Sequence, residues 1–306
     1  MKNTKLSIYL KLLRINQWIK NIIIFTAIVF AGKLFDNYLF LRSLIAFFIF
    51  CLLSSTSYVL NDIVDYQYDK RHPQKKYRPI AAGIISLPQA TFIVFVFTLI
   101  SLIFSIFFSI SLFLLSFLFL LLHFFYSLYL KKRPLVDIFS ISFSFILRAF
   151  AGEIATGYHI PIWLFLTIFF GSLFMASVKR HAELSAFGKQ ARESLYYYNK
   201  HFLNFLTYTF GTATIIAYAT YTYVEKLPPF EGFFHKFIIK IYPGFEVRKW
   251  LMITIPLVVY GIARYAQLLY EKYEGERPEK IITTDTHLIF IITLWGIIMV
   301  SLIYIL

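Results

Sequence analysis

Residues 39–60 read LFLRSLIAFFIFCLLSSTSYVL, and the chain continues without a break into Asn61-Asp62-Ile63-Val64-Asp65-Tyr66-Gln67-Tyr68-Asp69. About 20 mostly apolar residues are what an α-helix needs to cross a bilayer, so 39–60 predicts a membrane span. Its end then carries an amide and three carboxylates. At about 100° per residue, Asp62, Asp65 and Asp69 fall within an arc of roughly 60° on one helix face, with Asn61 beside them. Like charges gathered at a membrane helix end repel one another, and a divalent cation is the natural partner. Aspartate oxygens that fill only part of an Mg2+ shell leave positions for substrate phosphates. The basic run His72-Pro73-Gln74-Lys75-Lys76-Tyr77-Arg78-Pro79 comes next, with His72-Pro73 expected to end the helix and Lys75, Lys76 and Arg78 to fold back as a lid over an anionic substrate. The plainer alternative is a solvated helix end whose charges mark the interface. Each carboxylate placed near a membrane interior costs up to ~3 kcal/mol, which argues against ornament.

The rest of the chain repeats the apolar theme. Of 306 residues, 59% are hydrophobic, 20% aromatic and 15% charged, and the mean hydropathy is +0.68. The expectation is an all-α polytopic membrane protein forming one transmembrane domain over 1–306. Nine spans are read, at 19–35, 39–60, 88–108, 111–130, 135–157, 161–178, 201–224, 250–271 and 286–306. Residues 1–20 alternate Lys2, Lys5, Lys11, Arg14 and Lys20 with apolar residues and read as an interfacial amphipathic segment; no small-residue cleavage site comes after it, so a cleaved leader is not expected. Pro88, Pro134 and Pro161 each open a span, where the missing backbone donor costs little. Cys51 is the sole cysteine, which excludes an intrachain disulfide.

A net charge of +14 raises the question of nucleic acid, but the distribution answers it. Twenty-one of the 30 Lys and Arg residues fall in 1–20, 61–87, 129–134, 178–200 and 271–285, and seven fall in the alternate connections. The positive-inside rule then puts the N-terminus, 61–87 and 178–200 on the cytoplasmic side of an integral plasma membrane protein, with 225–249 as the external loop. The partner is a membrane, not a nucleic acid. No Walker loop, dinucleotide fingerprint or Ser-His-Asp arrangement is present.

Two further groups could carry chemistry. Lys179-Arg180-His181-Ala182-Glu183 closes the sixth span, as an anion site or simply as a positive-inside anchor. Asp137 and Arg148 lie eleven residues apart in the fifth span. Buried charges in a bundle usually face a cavity or a partner, so an interhelical ion pair is one reading. Asp137, near the cytoplasmic end, is alternatively placed to meet sugar hydroxyls or to order a lysine.

The Asn-Asp-x-x-Asp-x-x-x-Asp segment at the end of a second membrane helix resembles the first aspartate-rich motif of the UbiA-type intramembrane prenyltransferase superfamily. The likeness runs through Arg14-Ile15-Asn16-Gln17-Trp18-Ile19-Lys20-Asn21 and Tyr126-Ser127-Leu128-Tyr129-Leu130-Lys131 and covers essentially the whole chain. It implies nine helices around a central cavity open sideways to lipid. Ordinary aromatic prenyltransferases of the superfamily carry a second aspartate-rich motif where this chain has Glu183 beside Lys179 and Arg180. With Gly171-Ser172-Leu173-Phe174-Met175 and the long 61–83 motif, the sequence is more similar to one branch, the decaprenyl-phosphate phosphoribosyltransferases. That resemblance implies Mg2+ held by Asp62, Asp65, Asp69 and Asn61. It further implies phosphoribosyl pyrophosphate held by Lys75, Arg78, Lys179 and Arg180, and a polyprenyl phosphate steadied by Lys20, Asn21 and Lys131. Tyr126, Asp137, Arg148 and Glu183 complete the expected substrate-binding set. An aromatic prenyltransferase, or a lipid-phosphate carrier, is the alternative; the oligomeric state is left open.

Overall fold

The computed structural model describes residues 5–189, 193–225, 237, 240, 241, 249–272 and 284–304. All regular structure among them is helical. The helices divide into two units, one of residues 1–27 and 35–158, the other of 28–34 and 159–306.

The first unit begins with α1 (Lys5–Leu13), then an 11-residue 3₁₀ helix (Ile15–Phe25) that runs into α2 (Thr26–Phe30). A bend of 48° at Arg14 separates α1 from the 3₁₀ helix and α2, so the expected interfacial segment and first span become one bent pair. Asp36 caps α3 (Asn37–Val64), its Oδ1 accepting from the amides of Tyr38 at 3.0 Å and Leu39 at 3.1 Å. After the short α4 (Tyr66–Arg71) and a loop, Ser86 and Gln89 form a reciprocal capping box at α5 (Leu87–Phe108). Extended Ser109 ends α5 and caps α6 (Ile110–Leu128), its Oγ taking the Leu112 amide, which divides the third span from the fourth where the sequence shows almost no punctuation. α7 (Val136–Thr156) closes the unit and stops at Gly157, whose φ of 76° a side chain would strain. α3 is the hub: it packs on α1, the 3₁₀ helix, α5, α6 and α7. Ile24, Phe50, Leu53, Leu112, Phe119 and Ala151 fill the core between them.

The second unit contains α8 (Ile162–Phe187), α9 (Lys200–Val224), α10 (Ile255–Lys272) and α11 (Thr286–Tyr304). α8 and α9 pack along each other, and Gly211 sits against the Phe174 ring, where a Cβ would stand 3.3 Å away. Tyr218 ties three elements, bonding Thr254 at 2.6 Å and accepting from Trp295 Nε1 at 2.8 Å. Tyr304 donates to the Val29 carbonyl at 2.8 Å and accepts from the Leu34 amide at 3.0 Å, which anchors 28–34 to α11.

Among the described residues, seven helices are long and apolar enough to cross a membrane, or eight if the bent pair is counted as one span. The expected count of nine is therefore not reached on length and composition. The difference is α9, which has 25 residues but carries threonines and tyrosines throughout. Its threonines answer their own polarity: Thr207, Thr214 and Thr220 each donate to the carbonyl four residues back, at 2.8, 2.6 and 2.8 Å. Most of 225–249, the expected external loop, lies outside the described residues, as do 190–192 of the 178–200 loop and 273–283.

Candidate functional site

The end of α3 builds an acidic knot. Val64 is its last residue, yet the i→i−4 bonding carries on through the joint: the Asp65 amide donates to Asn61 O at 2.9 Å and the Asp69 amide to Asp65 O at 2.8 Å. The carboxylates thus keep helical phase. Asp62 is 2% exposed and Asp69 3%. Charges this buried need partners, and three cations from three different segments provide them. Arg78 Nη1 donates to Asp62 Oδ1 at 3.0 Å and to Asp69 Oδ2 at 2.6 Å. Arg14 Nη2 donates to the same Asp62 Oδ1 at 2.5 Å and stacks 5.1 Å over the Tyr58 ring. Lys131, from a turn at Leu130–Lys132, donates to Asp65 Oδ1 at 2.5 Å and Asn61 Oδ1 at 3.1 Å, while Asn61 Nδ2 donates to Asp65 Oδ2 at 3.0 Å.

Apolar packing places Arg78, and hydrogen bonds to α3 place Arg14. Ile80 and Ile85 sink among Leu12, Val59 and Ala90 and pin the loop that carries Arg78; Gly83, at φ 73°, makes the turn possible. Arg14 itself adopts φ 49° and ψ 51°, a left-handed conformation uncommon for a residue with a side chain, at the break between α1 and the 3₁₀ helix. That junction is clamped to α3, because Ser55 Oγ donates to Leu13 O at 2.9 Å and Trp18 Nε1 donates to Ser55 Oγ at 3.0 Å. Burial outweighs the nearby Arg78 guanidinium and raises the Asp69 carboxyl above the usual carboxylate value, with Asp62 and Asp65 pushing the same way. Burial pulls Arg78 down, but Asp62 and Asp69 more than compensate, so it is held above its ordinary value and stays protonated.

Of the residues expected from sequence, the structure brings together Asn61, Asp62, Asp65, Asp69, Arg78 and Lys131. Arg14 joins them and was not in the expected set; its place at the head of the Arg14–Asn21 motif was the available signal. Lys75 is half-buried at the 3₁₀ turn Lys75–Tyr77, and Tyr126 lies 6.4 Å ring to ring from His123. Asn21 faces the core, fully buried, and Lys20 is half-buried beside it. Asp137 is fully buried in the first turn of α7, with Oδ1 accepting from the Ile138 amide at 2.9 Å.

Arg148, for which an interhelical ion pair was one reading, bonds neutral oxygens instead. It lies deep in the first unit, donating from Nε to Asn21 Oδ1 at 2.6 Å, from Nη2 to Ser54 Oγ at 3.1 Å and from Nη1 to the Ser144 carbonyl at 2.7 Å and to its hydroxyl. Its guanidinium also stands 4.8 Å from the Phe119 centroid. Asn21 Nδ2 completes the network at Cys51 Sγ, 3.2 Å away. Asp137 lies elsewhere on the same helix, eleven residues or ~16 Å away.

In the second unit, Arg180 is 1% exposed and pairs with Glu183 Oε2 at 2.7 Å, one turn along α8. Lys179 beside it is half-buried, and the His181 ring meets Tyr270 at 4.5 Å.

Among the described residues no three His, Cys, Asp or Glu side chains converge closely enough to hold a metal ion by themselves. Mg2+ seldom asks for that. It is commonly bound by one or two carboxylates, with waters and substrate phosphates completing the octahedron. Hard oxygen donors at Asp62, Asp65, Asp69 and Asn61 fit such a partial shell.

Membrane-length helices and a buried acidic knot at the end of one of them define an integral, multi-spanning membrane protein with an anion-and-cation site. The UbiA prenyltransferase family matches over residues 21–184. The decaprenyl-phosphate phosphoribosyltransferase of Corynebacterium glutamicum is 30% identical over 310 residues, covering 97% of this chain and 86% of the relative. The Mycolicibacterium smegmatis protein of the same name is 29% identical over 297 residues, covering 94% and 89%. In three dimensions, a UbiA homolog from Archaeoglobus fulgidus bound to DMAPP and Mg2+ superposes with a TM-score of 0.70 at 18% identity, over 97% of this chain and 99% of that one. The chain belongs to the UbiA prenyltransferase family.

Proposed function

We propose that this protein transfers 5-phosphoribose from phosphoribosyl pyrophosphate to a polyprenyl phosphate, with Mg2+, and releases diphosphate. The observation that carries the reading is the near-full-length likeness to proteins of that named activity. The charge-balanced knot supports it, since a site that pairs carboxylates with three cations suits a metal-chelated, multiply anionic donor.

Asp62, Asp65 and Asp69, with Asn61, would hold the Mg2+ of the donor. When bound, that ion offsets the negative charge that grows on the departing diphosphate. Arg14, Arg78 and Lys131 exchange carboxylate oxygens for phosphate oxygens, which accept the same forked and point-charge donors. Lys75, Lys179 and Arg180 supply further cationic contacts to the phosphates, and Lys20 steadies the lipid phosphate. An oxygen of the lipid phosphate attacks the anomeric carbon, the C1–O bond to diphosphate breaks, and in-line attack inverts the configuration. A phosphate monoester is largely dianionic near pH 7, so no strong general base is needed. Positioning and preorganised charge do most of the catalysis. The reading includes nine spans, with α9 among them, a single transmembrane domain, and a cytoplasmic N-terminus and acidic knot.

The test is direct. Purified protein, Mg2+, labelled phosphoribosyl pyrophosphate and a polyprenyl phosphate should yield lipid-linked label and one diphosphate per transfer. Label that stays in the aqueous phase, with turnover of a prenyl diphosphate onto an aromatic acid instead, would replace this reading with the aromatic prenyltransferase.

A further inference from the structure

One face of α3 meets the break between α1 and the 3₁₀ helix at three successive points. Ser55, Tyr58 and Asp62 fall within an arc of roughly 60° on that face. Ser55 fixes the backbone through the Leu13 carbonyl and Trp18 Nε1, and Asp62 takes the Arg14 guanidinium. Half-buried Tyr58 stands between them, with Arg14 Cζ 5.1 Å from its ring centroid. In the 3₁₀ helix residues three apart eclipse one another, so Trp18, Asn21 and Ile24 share the inward row, and Arg14, one residue ahead of the helix, lies off it. The clamp on Trp18 sets the backbone and leaves the long Arg14 side chain to be placed by its own contacts.

Among the described residues that guanidinium meets two groups, the Asp62 carboxylate and the Tyr58 ring. The two do not compete. A carboxylate consumes N–H donors, of which a guanidinium has five in one plane. A ring attracts the cation through its quadrupole and consumes none. Arg148 shows both kinds of contact together in the same unit. Its guanidinium lies 4.8 Å from the Phe119 centroid and still bonds Asn21, Ser144 and Ser54 through all three nitrogens. In the proposed reaction the Asp62 contact is the one exchanged, as Asp62 turns to metal and Arg14 to phosphate. A partner that keeps hold of Arg14 through that exchange must leave its N–H groups free, and the Tyr58 ring does so.

We infer that Tyr58 is a positioning residue that acts through Arg14: its ring, not its hydroxyl, keeps the guanidinium beside the acidic knot, in place for the donor's diphosphate. The inference rests on the phosphoribosyl reading above and adds to it a residue that holds no metal and no phosphate. A ring that only filled space between α3 and the N-terminal helices would matter equally with or without Arg14.

Wild type, Tyr58→Phe, Tyr58→Leu, Arg14→Gln and Arg14→Gln/Tyr58→Leu are compared in kcat/KM for phosphoribosyl pyrophosphate, at saturating Mg2+ and polyprenyl phosphate. Tyr58→Leu should lose roughly 3- to 10-fold, the factor a cation–π contact at a partly exposed site carries. Tyr58→Phe, which keeps the ring, should restore that loss. On the Arg14→Gln background the leucine should cost nothing further. Additive losses in the double variant, or a loss in Tyr58→Phe as large as in Tyr58→Leu, overturn the inference. Should Tyr58→Leu fail to fold, Tyr58→Met carries the same comparison. Calorimetric titration of inorganic diphosphate with Mg2+ into the same proteins reads the coupling without turnover. No label on lipid, with the coupling intact in the titration, fails the reading above and supports this inference. Label transfer with additive losses refutes the inference alone.

Discussion

Arg78 spans two aspartates seven residues apart, and substituting it tests whether the acidic knot holds as a coupled unit. Arg78→Gln leaves Asp62 its contact with Arg14 but takes the cation from Asp69. Breaking a fully buried ion pair on one side costs about 3–5 kcal/mol. The Arg78 side chain is 25% exposed, and solvent screening reduces the expected loss to about 2 kcal/mol. For a chain of this size that corresponds to a fall of about 3 °C in Tm. Asp69→Asn alone should cost less, because it strips one carboxylate from Arg78 but also removes a charge that burial, Asp62 and Asp65 already oppose. The informative quantity is the double variant. If the pair is coupled as its 2.6 Å contact implies, Arg78→Gln/Asp69→Asn should unfold above the temperature that summing the two losses would give, by about 3 °C. The assay is thermal unfolding of the four proteins in one detergent at one scan rate, without Mg2+ or substrate. Additive single losses would refute the account of the knot as a set of buried, mutually compensating pairs.

Four other outcomes are expected from the same structure. Asp65→Asn should cut Mg2+-dependent transfer by roughly 100-fold or more while the protein stays folded; a variant with wild-type turnover at saturating Mg2+ would remove Asp65 from the site. Gly152→Ala should be severely destabilising, because the added Cβ would overlap the Ile24 carbonyl oxygen. Gly83→Ala meets no atom within 4 Å and strains only φ, so its Tm should fall by much less. The hydrogen bond from Arg264, with that from the Leu288 amide, holds Asp285 below the usual carboxylate value. A depressed folded-state pKa adds stability that is present above the unfolded value and lost as pH falls through the folded one. Tm should therefore drop on acidification below about pH 4, less steeply in Asp285→Asn. Arg148→Met removes a buried charge, so its effect on Tm should be small. It also releases Asn21 from α7, and transfer should fall by more than Tm suggests; unchanged kcat/KM would show that Arg148 has no bearing on the site.

The sequence reveals the spans and the acidic cluster for the same reason: both are written in local periodicity. A run such as 39–60 is apolar at every helical face, and Asp62, Asp65 and Asp69 keep the phase of the helix that carries them even across the joint at Asp65. What the sequence conceals depends on long-range contact. Nothing in Ile15–Phe25 signals 3₁₀ winding; there is no Pro or Gly to mark it. The winding is held from outside, by Gly152 letting α7 approach Ile24, by Arg148 holding Asn21, and by Ser55 clamping Leu13 and Trp18. Arg14 was invisible as a site residue because its direction depends on a left-handed turn that its own type does not favour. For Arg148 an interhelical ion pair was one reading. Its real partners are neutral oxygens from three separate segments, which no spacing rule connects.

The 3₁₀ helix and the acidic knot form one mechanical unit, which explains why an unfavourable backbone persists there. A helix with three residues per turn has poorer hydrogen-bond geometry than an α-helix and rarely runs past one turn, so eleven residues of it must be stabilised by packing. In return, the winding gives three clean rows. One row faces the core and is fixed by Ser55, Cys51 and Arg148; one faces outward; and the third stays in register with Arg14 on Asp62. Relaxing the segment to an α-helix would shorten it by about 0.5 Å per residue and rotate Gln17 and Lys20 away from the row that Arg14 leads. The buried guanidinium of Arg148 and the bare Cα of Gly152, one turn apart on α7, oppose that relaxation together, by hydrogen bonding at Asn21 and by close contact at Ile24. Precision at the membrane edge is thus set deep inside the first unit, by residues that touch neither the carboxylates nor their cations.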